Sequence, residues 1–414
     1  MGMQPNKRAL RELKAAIAAQ RARGEPINVT ALARQLKVPR TTIQSRMLAA
    51  NLSIETEVNN VETSLAIKLE DIQRQLAQVK RERDELKGAE WGMRQLREVI
   101  GGISERPTQV PNWTLRPTSN KRSYETPMMI WSDWHAGEVV SRSETNGQNE
   151  FNSSIMERRA RRLVELTIDL CKNHGPGRYP GAVINLLGDF VSGALHPELA
   201  KTDDKSAIES ALHVRDVLVW ALEQMQGYFG RLFIPCAAGN HGRNTHKPEF
   251  KRTVYQNFDW LIYQLLIRHF DKNKDISFLV PDSNEAHYQV FGRRYLAMHG
   301  DMLGVKGGDG IIGSIGPITR GEMKVGKQSN AFGRDYDYLL MGHWHQQLWL
   351  PRIIVNNSLK GFDEYAAKAL RAPPSIPSQA LWLVHPKWGH TMYREVYLED
   401  QGEENSDPWV VFKR

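Results

Sequence analysis

Residues 339–346 read LLMGHWHQ, an apolar run that meets a glycine and then two histidines one residue apart. Such a run is expected to be a buried strand that ends at the glycine. Side chains on an extended segment repeat every second residue, so His343 and His345 are expected to share a face and converge on one object. Gly342 lets the backbone approach that object closely. Neutral imidazole is the commonest metal-binding side chain, so the object is either a metal or, in the plainer reading, the backbone of a loop.

The same design recurs upstream. MMIWSDWHAG (128–137) ends an apolar run with Asp133 and His135, again one residue apart. VINLLGDFVSG (183–193) delivers Asp189 after a glycine, LFIPCAAGNHGR (232–243) delivers Asn240 and His241, and YLAMHGDM (295–302) delivers His299. Between these strands lie long helical patterns, which together predict an α/β domain. Open α/β sheets build their sites at the carboxyl ends of strands. One such end has an easy structural explanation; five that all finish in oxygen or imidazole donors point to a single site.

Taken in order, D-x-H, G-D, G-N-H, a lone H and G-H-x-H, the chain resembles the calcineurin-like metallophosphoesterases across residues 127 to 398. The resemblance implies a two-sheet sandwich flanked by helices, with two divalent metal ions at one end. It assigns Asp133, His135, Asp189 and His345 to one ion, and Asp189, Asn240, His299 and His343 to the other. A phosphodiester is anionic and repels hydroxide, and two cations about 3.5–4 Å apart neutralise it while activating a water. Asp189 is the natural carboxylate bridge between them. Mixed nitrogen and oxygen donors suit Mn first, then Fe or Zn. His241, next to ligand Asn240, is placed to stabilise the transition state or protonate the leaving oxygen.

In the family an acidic residue often follows G-N-H and orients its histidine, whereas here Gly242 and Arg243 follow. The partner of His241 is therefore open, and Arg243 becomes a candidate phosphate contact. His196, His246 and Asn357 are further candidates near the site. The glycine-rich basic stretch GVKGGDGIIGSIGPITRGEMKVGKQS (304–329), with Lys306, Arg320, Lys324 and Lys327, is expected to be an insertion that closes over a polyanion.

The formal net charge of +8 has a location. Residues 1–50 hold ten Lys and Arg against Glu12 and Glu25, so the remaining 364 residues are formally neutral. A basic segment on a balanced body is the footprint of a nucleic-acid tether. KRALRELKAAIAAQRARG predicts a helix that stops at Gly24. In NVTALARQLKVPRTTIQSRMLAANL, Thr30 is expected to cap a helix carrying Leu32, Ala33 and Leu36. Val38 and Pro39 turn the chain, and a second helix buries Ile43 and Met47. This resembles a bacterial or phage helix-turn-helix over residues 1–51, with Arg40, Thr41, Thr42, Gln44, Ser45 and Arg46 on or near the face that would meet DNA. Lys37 stands where that motif usually has glycine.

Residues 52–100 carry Ile54, Val58, Val61, Leu65, Leu69, Ile72, Leu76, Val79 and Leu86, spaced 4, 3, 4, 4, 3, 4, 3 and 7. That is a coiled-coil seam with one stutter, and it predicts self-association. Residues 101–126, with three prolines and little periodicity, are expected to be a linker, and 127–414 the metallophosphoesterase domain.

No run approaches membrane-spanning length, and MGMQPNKRAL lacks the apolar core of a signal peptide. A cytoplasmic protein is expected, in a bacterial host if the chain is phage-encoded as its assembly resembles, with Cys171 and Cys236 as free core thiols. The functional expectation is a two-metal phosphodiesterase, a DNA nuclease resembling the SbcD-type branch, with DNA and its own copies as partners and no membrane. The alternatives are a phosphomonoesterase acting on phosphoprotein or nucleotide, and a DNA-binding assembly or regulatory protein whose metal domain is structural.

Overall fold

A computed structural model describes residues 7–50, 73–75, 78, 80, 110–115, 125–193, 202–245, 248, 250–251, 253–305 and 313–400. The chain divides into two compact units, residues 1–102 and 103–414.

In the first unit, residues 7–50 form α1 (Lys7–Ala22), α2 (Val29–Gln35) and α3 (Arg40–Ala49). Leu13, Ala16 and Ile17 of α1 meet Leu32 of α2 and Ile43 and Met47 of α3 in one small core. The cap of α2 is Asn28 rather than Thr30: its side chain accepts the backbone N–H of Thr30 and of Ala31. Asparagine holds that post because its short carbonyl reaches the orphan donors of the first turn. Between α2 and α3 the chain turns at Lys37, whose φ of 52° is the left-handed conformation a glycine would adopt. All nine residues of the expected coiled-coil seam lie outside the described residues; those described between 52 and 100, namely 73–75, 78 and 80, are helical.

The second unit begins earlier than the sequence suggested. Within the expected linker, α4 (Asn112–Leu115) places Trp113 in the main core, where the Arg231 guanidinium lies 5.3 Å from its ring. Two mixed sheets follow, built from β1 (Thr126–Trp131), β2 (Ala182–Leu186), β3 (Leu232–Pro235), β4 (Ile276–Leu279), β5 (Ala286–Val290), β6 (Arg293–Ala297), β7 (Tyr338–Met341), β8 (Leu348–Trp349), β9 (Ile353–Val355), β10 (Ser378–His385) and β11 (Gly389–Tyr397). The first sheet runs β11-β10-β1-β2-β3-β4, with β1 to β4 parallel. The second runs β5-β6-β7-β9-β8, with β6, β7 and β9 parallel.

Every residue of β1 is buried because both faces of its sheet are covered. Met128 and Ile130 face the second sheet, where they join Val183, Phe233, Tyr288, Tyr295, Leu340, Ile354 and Trp382. Each large side chain sealed there contributes roughly 2–3 kcal/mol of transfer free energy. On the outer side of the first sheet lie α5 (Ser153–Asn173), α6 (Ala207–Phe229) and α7 (Phe258–His269), with α6 packed against both of the others. Side-chain caps from Asn152, Ser206 and Asn257 start all three.

The second sheet is covered by α8 (Ile315–Ala331), which buries Ile318 and Val325 against Leu296, Leu339, Met341 and Ile353. Much of the glycine-rich insertion is therefore a helix. Gly321 faces Leu303 so closely that an added Cβ would sit 2.9 Å from the leucine Cβ, so the residue that hides the helix in the sequence is the one its packing needs. A short helix α9 (Glu364–Lys368) precedes β10. Among the described residues, no helix is long and apolar enough to cross a membrane.

Candidate metal centre

The donor-bearing residues lie just beyond the strands, not on them. β1 stops at Trp131, β2 at Leu186 and β7 at Met341. Past those ends Asp133, His135, Asp189, His343 and His345 all have positive φ, between 51° and 68°. Five of the eleven non-glycine residues with positive φ among the described residues are thus candidate ligands. Left-handed backbone is costly outside glycine and concentrates at functional sites. It also corrects the opening expectation. His343 and His345 alternate in sequence, but the left-handed turns send their imidazoles to two different groups.

One group is Asp133, His135 and His345, the other Asp189, His299 and His343. In the first, His135 Nε2 lies 3.2 Å from His345 Nε2, which is 3.3 Å from Asp133 Oδ1. In the second, His299 Nε2 is 2.9 Å from Asp189 Oδ2. Asn240 has a buried Oδ1 with no hydrogen-bond partner, and His299 Nε2, for all its closeness to Asp189, is not aligned to donate to it. Ligands around one divalent ion at about 2.1 Å stand roughly 3–3.4 Å from each other. Nitrogens and oxygens that face each other at this spacing, in two neighbouring groups, fit a pair of divalent ions.

The loops are stitched to one another. His135 N–H donates to the Asp189 carbonyl at 3.0 Å and Asp133 N–H to that of Gly188 at 3.0 Å, continuing the β1–β2 pairing past the strand ends. Asp133 is fixed by Ser132 Oγ at 2.5 Å and by the His343 N–H at 3.1 Å. Behind it, Asn356 Nδ2 donates to Ser132 Oγ and Gln379 Oε1 accepts the Ser132 N–H. Gly342 is required here, since an added Cβ would meet Asp133 Oδ2 at 2.3 Å. His299 Nδ1 lies 2.7 Å from the Leu187 carbonyl, which sets the proton on Nδ1 and turns Nε2 toward Asp189.

Electrostatics favour ligation at Asp189, His135 and His343 but not at His299. Burial pushes the His299 imidazole down, yet the Asp189 carboxylate outweighs it and holds the group well above its ordinary value, so this ring must lose a proton to ligate. Burial pushes the Asp189 carboxyl up, but the imidazoles of His299, His241 and His135 outweigh it and hold the group well below the usual carboxylate range. Burial, with neighbouring His299, pushes His343 down to about 4, and burial with the Lys360 charge holds His135 well below its ordinary value. Both imidazoles are neutral near pH 7, the state that binds metal.

His241 sits between the groups, its ring centroid 4.6 Å from that of His135. Its Nδ1 lies 3.2 Å from the Ser192 carbonyl, and its N–H donates to Asp189 Oδ1 at 2.7 Å. A backbone carbonyl thus faces the ring nitrogen of His241, where no acidic side chain follows in sequence. Arg243 donates to the carbonyls of Thr245 at 3.1 Å and Asn240 at 3.3 Å, bracing the ligand loop. Asn357 is buried with its amide engaged by Ile376, Ser378 and Ser358. His196, His246 and Lys306 lie outside the described residues. On α8, Arg320, Lys324 and Lys327 are exposed, and Lys324 Nζ donates to the Gly304 carbonyl at 2.7 Å. On α3, Arg40, Thr41, Gln44 and Ser45 are exposed, and Thr42 and Arg46 half-buried.

Sequence reasoning missed Asp259. This fully buried carboxylate on α7 accepts the backbone N–H of Asp189, Phe190 and Gly239. Its only signal was the pair Asn257 and Asp259 at a helix start, which reads as ordinary capping. Asn257 does cap α7, and its Nδ2 also donates to the Gly239 carbonyl at 2.6 Å.

No protein-family model matches this chain, and no curated protein matches it. Among solved structures, it is similar to a Staphylococcus aureus protein assigned as a 5'-nucleotidase and solved with alpha-ketoglutarate, at 10% identity and a TM-score of 0.28 over 69% of this chain. The match spans 56% of that protein's length. Phosphopantetheinyl hydrolase from Mycobacterium tuberculosis matches at 10% identity and a TM-score of 0.24, covering 60% of this chain and 94% of that one. Both TM-scores are too low to bear on what this chain does.

Proposed function

We propose that the chain is a metal-dependent phosphodiesterase, a DNA nuclease whose three-helix unit binds DNA and whose residues 52–100 pair two copies. The observation that carries the catalytic part is the pair of ligand groups at neighbouring loop ends, with the neutral imidazole of His241 set between them. Asp133, His135 and His345 would hold one divalent ion, and Asn240, His299 and His343 the other, with Asp189 bridging. Mn is the first candidate for these mixed nitrogen and oxygen donors, with Fe and Zn as the alternatives. When bound, such ions neutralise the phosphate and acidify a water.

The chain's own residues supply the rest. With Nδ1 committed to the Ser192 carbonyl, His241 presents Nε2 to the substrate. Burial lowers its proton affinity, and the Asp189 carboxylate and an arriving phosphate anion raise it again. In the imidazolium form that the arriving phosphate favours, with Nδ1–H held by the Ser192 carbonyl, the Nε2 proton would pass to the leaving oxygen as its bond to phosphorus breaks, leaving a neutral ring. Arg243, braced on the loop, adds positive charge beside the site.

The nucleic-acid part rests on the basic excess of residues 1–50 and on the exposed polar face of α3. Purified protein with Mn should cleave bis-nitrophenyl phosphate and DNA in preference to nitrophenyl phosphate. Closed circular, linear duplex and single-stranded DNA compared side by side would give the mode of attack. A preference for the monoester would point to a phosphomonoesterase, and DNA binding with no hydrolysis of any ester would leave an assembly or regulatory protein.

A further inference from the structure

Glu138 lies three residues after His135 and is 6% exposed. Its Oε2 faces His135 Nδ1 at 3.5 Å, and its Oε1 accepts a hydrogen bond from Lys360 Nζ at 2.8 Å. Ser192 Oγ stands 3.5 Å from the same Oε2. Lys360, 3% exposed, also donates to Asp363 Oδ2 at 2.5 Å. One buried ammonium thus serves two carboxylates.

Such a cluster is a poor source of stability, because desolvation offsets much of the Coulomb gain and apolar residues of equal volume pack as well. Apolar residues would not give His135 Nδ1 an acceptor. That nitrogen is buried and makes no hydrogen bond among the described residues, and the acceptor that faces it is the Glu138 carboxylate at 3.5 Å. The other ring nitrogen points at His345. The segment that carries Lys360 also reaches the second member of this ligand group, since Ser358 Oγ and the Leu359 N–H donate to the Asp133 carbonyl at 3.0 and 3.2 Å. It is itself locked, with the Lys360 carbonyl accepting from Arg159 at 2.6 Å and Asn149 at 2.9 Å.

We propose that Glu138, pinned by Lys360, is the positioning residue that keeps the proton of neutral His135 on Nδ1 and its lone pair on Nε2, so that His135 takes a divalent ion together with Asp133 and His345. This rests on the metal-centre reading above and deepens it. A ligating histidine whose other nitrogen donates to a carboxylate is a better base and is fixed in orientation, and loss of that partner typically costs about 10–100-fold in metal affinity.

Glu138→Gln is nearly isosteric and tests the idea without emptying the pocket. Its carbonyl still accepts from Lys360, while its amide N–H would face Nδ1 and favour the opposite tautomer. NMR of ¹⁵N-histidine-labelled, metal-free protein should show His135 as Nδ1–H in the wild type and Nε2–H in the variant. Calorimetric titration with Mn should show about 10–100-fold weaker binding at one of two sites, with the other unchanged. Glu138→Asp, which keeps the acceptor, should retain the Nδ1–H tautomer and most of the affinity, and it carries the test should the glutamine variant fail to fold. Wild-type affinity at both sites in Glu138→Gln, or an Nε2–H tautomer in the wild type, overturns the proposal. So does a variant whose thermal midpoint falls while tautomer and affinity stay put, since that is packing alone. A wild-type protein that binds no Mn overturns the metal-centre reading itself, and the wild-type titration reveals that separately.

Discussion

Asp259 Oδ2 accepts the backbone N–H of Asp189 at 2.9 Å. The same oxygen accepts the N–H of Gly239 at 2.9 Å, and Oδ1 that of Phe190 at 3.1 Å. One carboxylate, carried by a helix, therefore staples the loop after β2 to the loop after β3 and sets the distance between Asp189 and Asn240. Asp259→Ala would strand three buried donors, each worth about 1–3 kcal/mol when unsatisfied. The expected loss is about 3 kcal/mol or more, together with weaker metal binding. Urea denaturation of the metal-free protein checks the first part and Mn titration the second. An unchanged denaturation midpoint would mean that the loops hold themselves.

The donor residues were legible in the sequence because the chemistry-bearing side chains cluster just after apolar runs, several of them beside a glycine, a pattern that survives without knowledge of the fold. Their local geometry was not. Alternation at Asp133/His135 and His343/His345 reads as strand, yet these residues take left-handed backbone held by hydrogen bonds from chain more than 50 residues away, such as the Asp133 N–H to the Gly188 carbonyl. No local pattern encodes a turn that a distant loop imposes. The glycines of α8 hid a helix for a related reason: Gly321 costs helix propensity locally, and only its close approach to Leu303 repays that cost. Trp113 was lost in a proline-bearing stretch because four helical residues are too few to show a period.

Lys37 offers a test of the first unit. Its φ of 52° lies where glycine is free of Cβ strain, and the side chain is exposed, so little packing offsets the cost. Lys37→Gly should stabilise the three-helix unit by about 1 kcal/mol, the order of the left-handed penalty less glycine's extra unfolded-state entropy. Hydrogen exchange of the Leu36 and Ile43 amides, whose N–H groups donate to Leu32 and Pro39, would register this as slower exchange in the full chain. Faster exchange would indicate that the lysine makes a favourable contact.

His241 and the ligands should separate in their effects. His241→Ala removes no member of either ligand group, so bound metal should stay near the wild-type level. Cleavage of DNA or of an alkyl diester should slow by roughly 10²–10⁴, the usual worth of a positioned proton donor. Nitrophenolate leaves without protonation, so a bis-nitrophenyl diester should suffer far less. Equal losses on the two substrates would reassign His241 from proton donor to electrostatic support.

Deleting residues 1–50 separates delivery from chemistry. No candidate ligand lies in that segment, so hydrolysis of a small nitrophenyl diester should be unchanged. DNA affinity should fall, because ten basic residues leave with the deletion. The dependence on salt should also flatten, since each DNA phosphate that the protein no longer neutralises takes about 0.9 from the slope of log affinity against log salt. Arg40 and Gln44 are exposed on α3, so replacing both with alanine should reproduce part of the loss. If residues 52–100 pair two copies, Leu69→Pro with Leu76→Pro should weaken duplex binding further, because two tethered heads act at a raised effective concentration. A hydrolase for monoesters would keep full turnover on its substrate in all of these variants. DNA binding that survives the deletion with its salt slope intact would place the nucleic-acid surface on the second unit and remove the head from the mechanism.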